Sequence, residues 1–305
     1  MRILIIGASG FIGRSVLRYA KRAGHITVGT MYSSRGGDMV RFDMTHDDIR
    51  DAIPPDFLSA DDTCAVICSA VTKIDECWKD KGRSYEINVN GTIRTLDKLN
   101  ALGVKTVFLS SEAVFDGTRG YYDETIPTSP LNEYGRQKVE VEEHILSRVH
   151  RDLVIRLSMI VGDSPKDTHL FAVWLERVRR HDPIICIAGQ IFSPTFVEDV
   201  AQGIVTALER KLEGLFHLAN SEFFLRDELA RQFVCAVGAD ANIVVKPLEE
   251  FTFPEKRALK TYLDGTRFAK ATGMRFTSMR EVLDKLRQNL YEGGMLNSGS
   301  PDVSG

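Results

Sequence analysis

Tyr134 and Lys138 stand four residues apart in the run Tyr134-Gly-Arg-Gln-Lys138. On a helix, residues at that spacing share a face. A lysine ammonium beside a phenol lowers its pKa from about 10. A tyrosine so tuned gives or takes a proton near neutral pH. Upstream, an apolar run that reads as a strand ends in Ser110-Ser111-Glu112. Open α/β sheets bind ligands beyond the C-terminal ends of their strands. The Ser111 hydroxyl is therefore placed to hold a reacting carbonyl oxygen opposite Tyr134.

A second signal lies at the start of the chain. Gly7-Ala-Ser-Gly10-Phe-Ile-Gly13 falls directly between an apolar strand, residues 3–6, and a helix over residues 11–23. Gly7 permits a tight turn, Gly10 lets the backbone approach a pyrophosphate, and Gly13 lets helix and strand pack closely. The free N–H groups at the helix start then face phosphates. A bare glycine triplet is weak evidence, but the strand–turn–helix context is what a dinucleotide cofactor needs. Gly7, Ser9, Gly10, Phe11, Ile12 and Gly13 form the first cofactor contacts. Lys138 is positioned to hold the ribose of a nicotinamide cofactor.

The end of the second strand bears on which nicotinamide cofactor. An NAD site places an acid about 20 residues beyond the glycines to hold the ribose hydroxyls. Thr30-Met31-Tyr32-Ser33-Ser34-Arg35 has no carboxylate. Ser34 and Arg35 suit a 2′-phosphate instead. NADP(H) is favoured, with NAD(H) as the alternative. Asp43, with Met44 beside it, closes the third strand and is either a partner for the adenine amine or a simple helix cap.

The elements that must position these groups alternate. Strands are predicted at residues 3–6, 26–31, 39–42, 64–69, 104–109 and 153–157. Helices are predicted at 11–23, 85–102 and 133–149, with a short one capped by Thr45 and broken at Pro54-Pro55. Such alternation argues for a parallel sheet covered on both faces. The fold class is α/β, a Rossmann-type doubly wound parallel sheet with a smaller C-terminal α/β substrate lobe. In the less regular second half, helices are expected near 170–180, 197–209, 226–237 and 279–290, and strands near 184–187 and 215–218. Residues 1–160, with about 184–212, form the expected dinucleotide-binding domain. Residues 161–183 and 213–291 form the lobe, and 292–305 a disordered tail.

Together these residues resemble the short-chain dehydrogenase/reductase superfamily in its extended, nucleotide-sugar branch. The resemblance is closer still to the dTDP-4-dehydrorhamnose reductase group. That group carries a block like Leu109-Ser-Ser-Glu-Ala-Val-Phe-Asp-Gly117, an acidic, proline-rich loop, and Pro130-Leu-Asn-Glu-Tyr134-Gly-Arg-Gln-Lys138. Asn88-Val-Asn-Gly-Thr92, residues 155–162 and Ser193-Pro-Thr-Phe-Val-Glu-Asp199 also match. The resemblance implies Ser111, Tyr134 and Lys138 as a catalytic triad. It implies Asn88 as support for a proton-relay water through the lysine, the alternative being a helix-capping amide. Ser69, Ala70 and Val71 would lie along the cofactor. Thr72, Glu112, Met159, Thr195 and Arg257 fall on the implied substrate side. The group usually has Thr-Asp where Ser111-Glu112 stand, and often Trp where Met159 stands. A 4,6-dehydratase would follow its Asp with Glu, and Ala113 argues against dehydration here.

The implied activity is NAD(P)H-dependent reduction of a 4-keto group on a deoxysugar nucleotide. A C4 epimerase holding NAD is one alternative. The other is a cofactor-binding regulatory subunit, like the one that binds methionine adenosyltransferase. The implied partner is a nucleotide sugar, and a homodimer is left open. The net charge of −3 offers no bulk attraction to nucleic acid or to an anionic membrane. Arg177, Arg179 and Arg180 read as a solvated helix face. No run approaches the ~20 apolar residues of a membrane span, and the N-terminal apolar run is too short for a signal peptide. Five cysteines without a CxxC pair fit a reducing compartment, so the cytoplasm is expected. Cys64 and Cys68 read as core. The histidines lack ligand spacing, so no metal site is expected.

Overall fold

The computed structural model describes residues 1–32, 38–148 and 151–293. Ser34 and Arg35, the expected 2′-phosphate contacts, lie outside these residues, as does most of the expected tail. Glu292, assigned to that tail, instead closes the last helix.

The chain runs β1 (Arg2–Ile6), α1 (Phe11–Arg22), β2 (Ile26–Met31) and β3 (Val40–Arg41). Two short helices, α2 (Ile49–Ala52) and α3 (Pro55–Leu58), precede β4 (Thr63–Ile67). Then α4 (Ile74–Lys79), α5 (Lys81–Tyr85), a π-turn over Glu86–Gly91 and α6 (Thr92–Ala101) lead to β5 (Lys105–Ser111). The first half closes with α7 (Glu133–Leu146) and β6 (Leu153–Leu157). The second half runs β7 (Ile160–Val161), α8 (Leu170–Arg179), β8 (Ile184–Ile187), β9 (Ile191–Phe192), β10 (Thr195–Phe196) and α9 (Val197–Glu209). After it come β11 (Gly214–Leu218), β12 (Phe224–Leu225), α10 (Arg226–Val237), β13 (Ile243–Lys246), α11 (Thr266–Thr272) and α12 (Met279–Glu292).

Seven strands form one parallel sheet in the order β11-β6-β5-β4-β1-β2-β3. Alternate residues of each strand feed opposite faces. Ile3, Ile5, Val66 and Val107 pack with Val16 of α1 and Ile204 of α9. Leu4, Ile6, Ala65 and Phe108 pack with Ile49, Leu96 and Val141. Both faces are covered, which is why the strands are apolar throughout and not alternating. A separate cluster builds the second half from Phe171, Trp174, Phe233, Leu283 and Leu286.

Several local expectations are corrected. Asp48, not Thr45, caps α2, accepting from the Arg50 amide at 3.0 Å. As expected, α2 ends before Pro54, and Pro55 then opens a second short helix, α3, at its first turn, where the missing N–H costs nothing. The helix expected over 85–102 begins earlier and is interrupted by the π-turn at Glu86–Gly91. β3 keeps two residues of an expected four. The domain expectation grouped residues 184–212 with the sheet and 213–291 with the lobe. By hydrogen bonding, β8 pairs with β13, and β11 joins the central sheet beside β6.

Candidate active site

The turn after β1 accepts only glycine at two points. Gly7 has φ +82°, and a Cβ there would lie 2.4 Å from Ser69 Oγ. A Cβ at Gly13 would lie 2.2 Å from the Gly7 carbonyl oxygen. Gly10 is the N-cap of α1 and offers no side-chain partner to the helix amides. Those amides are left for an anion. A cavity of about 490 Å³ opens beside this turn, lined by Gly7, Ser9, Gly10, Asp43, Met44 and Ser69–Val71. The glycine cradle and the free amides fit a dinucleotide. Ile12 lines a different cavity, described below, and Phe11 stacks on His169 with ring centroids 5.4 Å apart.

Asp43 Oδ1 accepts from the Thr45 amide at 2.9 Å and the Thr45 hydroxyl at 2.6 Å. Burial alone would raise its pKa, but these bonds outweigh it and hold the carboxyl below its ordinary value. Tyr32, His46 and Arg83 also line this cavity, and sequence reasoning singled out none of them.

Asn88 sits in the π-turn, 1% exposed. Its Oδ1 accepts from the Val71 amide at 2.8 Å, and its Nδ2 donates to the Val71 carbonyl at 2.9 Å. Nδ2 also donates to Gln137 Oε1 at 2.8 Å. Both amide hydrogens are thus engaged. The side chain clamps the Ser69–Val71 segment to α7. It caps no helix.

The second cavity, about 690 Å³, lies where the strand ends meet the second half of the chain. Val71 lines the first cavity and Thr72 the second, so the two adjoin along one segment. Ser111 ends β5 and Tyr134 opens α7. Asn132 caps α7 through the Gly135 amide at 2.9 Å. A Cβ on Gly135 would lie 2.1 Å from the Ala113 carbonyl, so this glycine brings α7 against the end of β5. The Ser111 and Tyr134 side chains both line the second cavity. Burial raises the Tyr134 pKa, and the Ser111 hydroxyl only partly offsets it.

Lys138 lies one turn further along α7, 4% exposed. Its Nζ donates to the Leu109 carbonyl at 2.8 Å and stands 5.7 Å from the Tyr134 ring centroid. Burial pulls its pKa down to about 8, with Glu142 pulling the other way. The expectation that Lys138 sets Tyr134 below its ordinary value is therefore corrected for this arrangement. Desolvation dominates both groups, and one of the three ammonium hydrogens is engaged by the Leu109 carbonyl.

Thr72, Glu112, Met159 and Arg257 all line the second cavity. Thr195 does not face it in the same way. Fully buried, it shares a hydrogen bond with Ser158 at 2.8 Å and accepts from the Asn220 amide at 2.9 Å. Ser158 lies on the cavity wall, so Thr195 stands behind it. Arg257 pairs with Asp75 at 2.5 Å and covers Phe253 at 4.4 Å. Arg177, read as a solvated helix residue, is exposed and also lines the cavity.

Arg226 was missed. It opens α10 and lines the cavity between Trp174 and Phe192, 5.9 and 6.0 Å from their ring centroids. It donates to Gln190 Oε1 at 3.1 Å and, among the described residues, pairs with no carboxylate. Burial pulls its pKa down. A lone arginine after Phe223-Phe224-Leu225 was the available signal. Among the described residues, no three His, Cys, Asp or Glu side chains gather as a metal site. No helix there is long and apolar enough to cross a membrane.

A parallel sheet with a glycine turn after its first strand, and a Ser–Tyr–Lys set at its C-terminal edge, defines an extended short-chain dehydrogenase/reductase. Residues 1–292 match the family model of the RmlD substrate binding domain, and the chain belongs to that family. It is 25% identical over 268 residues to a dTDP-4-dehydrorhamnose reductase of Mycobacterium tuberculosis, covering 86% of this chain and 83% of that one. It is also 25% identical over 258 residues to methionine adenosyltransferase 2 subunit beta of Mus musculus, covering 82% and 75%. Among solved structures, a dTDP-4-dehydrorhamnose reductase from Bacillus anthracis in complex with NADP superposes with TM-score 0.80 at 21% identity, covering 95% and 99%.

Proposed function

We propose that this chain reduces the 4-keto group of a deoxysugar nucleotide at the expense of NADPH, as dTDP-4-dehydrorhamnose reductase does. The observation that carries the reading is the meeting of Ser111 and Tyr134 on the wall of the second cavity, beside its junction with the first. In this reading the cofactor rests on Gly7–Gly13 and Ser69–Val71, with Asp43 and Met44 on its adenine side, and NADP(H) is favoured over NAD(H). The reduced nicotinamide supplies a hydride. Ser111 orients the carbonyl oxygen, and Tyr134 gives it a proton. Lys138, one turn behind Tyr134 on α7, holds the ribose of the nicotinamide. Arg226 and Arg177 meet the anionic end of the substrate, since both line the second cavity and neither pairs with a carboxylate among the described residues. We also propose that residues around β8, α8, α10 and β13 form the substrate lobe.

The test is a panel of 4-keto sugar nucleotides with NADPH and NADH, followed by absorbance. Oxidation of one NADPH per ketosugar supports the reading. Tightly held cofactor with no net consumption indicates an epimerase. Absence of turnover together with a stable partner complex indicates a regulatory subunit.

A further inference from the structure

The start of α7 is held by a residue from the far half of the chain. A helix leaves its first amides without partners of its own. In α7 these include the amides of Glu133, Tyr134 and Gly135. Asn132, the N-cap, takes the Gly135 amide at 2.9 Å. Glu255 takes the Glu133 amide, with Oε1 at 3.0 Å and Oε2 at 2.9 Å. Its Oε1 also accepts from Arg136 at 2.8 Å. The amides on either side of Tyr134 are thus each bound by a side-chain oxygen. The helix dipole favours an acid at this end. The Glu255 side chain is only 5% exposed, so salt screens its contacts little.

Glu255 lines neither cavity. It falls between Phe253 and Arg257, which both line the second one. Beyond them, main-chain bonds fix the chain: the Lys260 amide donates to the Gly117 carbonyl and the Thr261 amide to the Ile191 carbonyl, each at 2.9 Å. Nearer Phe253 the ties to the first half are side-chain ones. Glu255 reaches α7, and Arg257 reaches Asp75 on α4. Arg257 also donates to the Glu255 carbonyl at 3.2 Å. One wall of the second cavity and the helix that carries Tyr134 therefore meet at Glu255. We propose that Glu255 is a positioning residue for the proton transfer. By binding the Glu133 amide it fixes the first turn of α7, and with it the place of the Tyr134 hydroxyl against the wall of Phe253 and Arg257. This deepens the reductase reading and rests on it.

The test is steady-state oxidation of NADPH with dTDP-4-dehydrorhamnose by E255A and E255Q, each alone and combined with Tyr134→Phe. A reacting group misplaced by about 1 Å costs on the order of a hundredfold in rate. E255A should lower kcat by ~10- to 100-fold. KM for the ketosugar should change by less than about twofold, because the interaction serves the transition state. E255Q keeps an acceptor for the Glu133 amide and should stay within about threefold of the unaltered kcat. In the Tyr134→Phe background no proton donor remains to be positioned. Adding E255A there should lower the residual rate by less than about twofold. A residual rate that falls as far as it does with Tyr134 present overturns the proposal, and so does an unaltered kcat in E255A. Amide hydrogen exchange gives a second readout that needs no turnover. In E255A the peptide over residues 131–138 should exchange roughly tenfold faster or more, with β4 unchanged. Equal exchange at that peptide also overturns the proposal. An unaltered chain that oxidises no NADPH with this ketosugar sinks the reductase reading first, and the exchange rates then decide whether Glu255 holds Tyr134.

Discussion

Tyr134 is held between opposing influences. Its burial raises the cost of a phenolate, while Ser111 lowers it. The spacing of Tyr134 and Lys138, and the strand-end Ser111, were legible because a helix and a strand each present residues at a fixed period. The engagement of Lys138 with the Leu109 carbonyl was not, because it depends on how α7 packs on β5. Replacing Tyr134 with Phe removes the proton donor and little volume. NADPH oxidation should fall by ~10³-fold, within the range for losing a general acid. Cofactor affinity, read by fluorescence titration, should change by less than about twofold. Near-normal turnover would remove Tyr134 from the chemistry. Arg226→Met addresses the other end of the cavity. It should weaken dTDP binding by ~10- to 100-fold, as expected for a lost charge-assisted bond. Thymidine binding should hardly change. Equal losses for both ligands would show that Arg226 acts through the shape of the wall and not through its charge.

Asn88 shows what an element can do that its residues alone do not announce. The π-turn at Glu86–Gly91 inserts an extra residue into the helix between α5 and α6 and carries Asn88 to the Val71 main chain. The periodic pattern predicted one continuous helix, because a π-turn alters hydrogen bonding without altering composition. The long strands β1, β2 and β4–β6 were readable from apolar runs. The two-residue strands β7, β9, β10 and β12 were not, since two residues carry no period. Asn88→Ala leaves the buried Val71 amide and carbonyl without side-chain partners. Unfolding in urea should show a loss of about 1–3 kcal/mol. The same variant should bind NADPH several-fold more weakly, because Ser69–Val71 lines the cofactor cavity. Loss of stability with unchanged NADPH affinity would confine Asn88 to a structural role.

At the scale of the whole molecule, chemistry depends on two cavities that adjoin at Val71 and Thr72. The first was legible because one contiguous motif builds it. The second draws on Ser111, Tyr134, Arg177, Arg226 and Arg257, which only the docking of the second half on the sheet edge brings together. If both cavities belong to one reaction, their ligands should stabilise the native chain independently and together. NADPH at a hundredfold excess over its Kd should add about 2.7 kcal/mol to unfolding in urea. dTDP, bound in the second cavity, should add a similar increment at the same relative excess. Two non-overlapping ligands give increments that sum. Ligands competing for one space give only the larger. A sum shows that nucleotide and cofactor occupy separate sites at once, as hydride transfer from the cofactor to a nucleotide-bound sugar requires. Competition would mean that dTDP occupies the dinucleotide cradle, and the assignment of the arginine-lined cavity to substrate would fall.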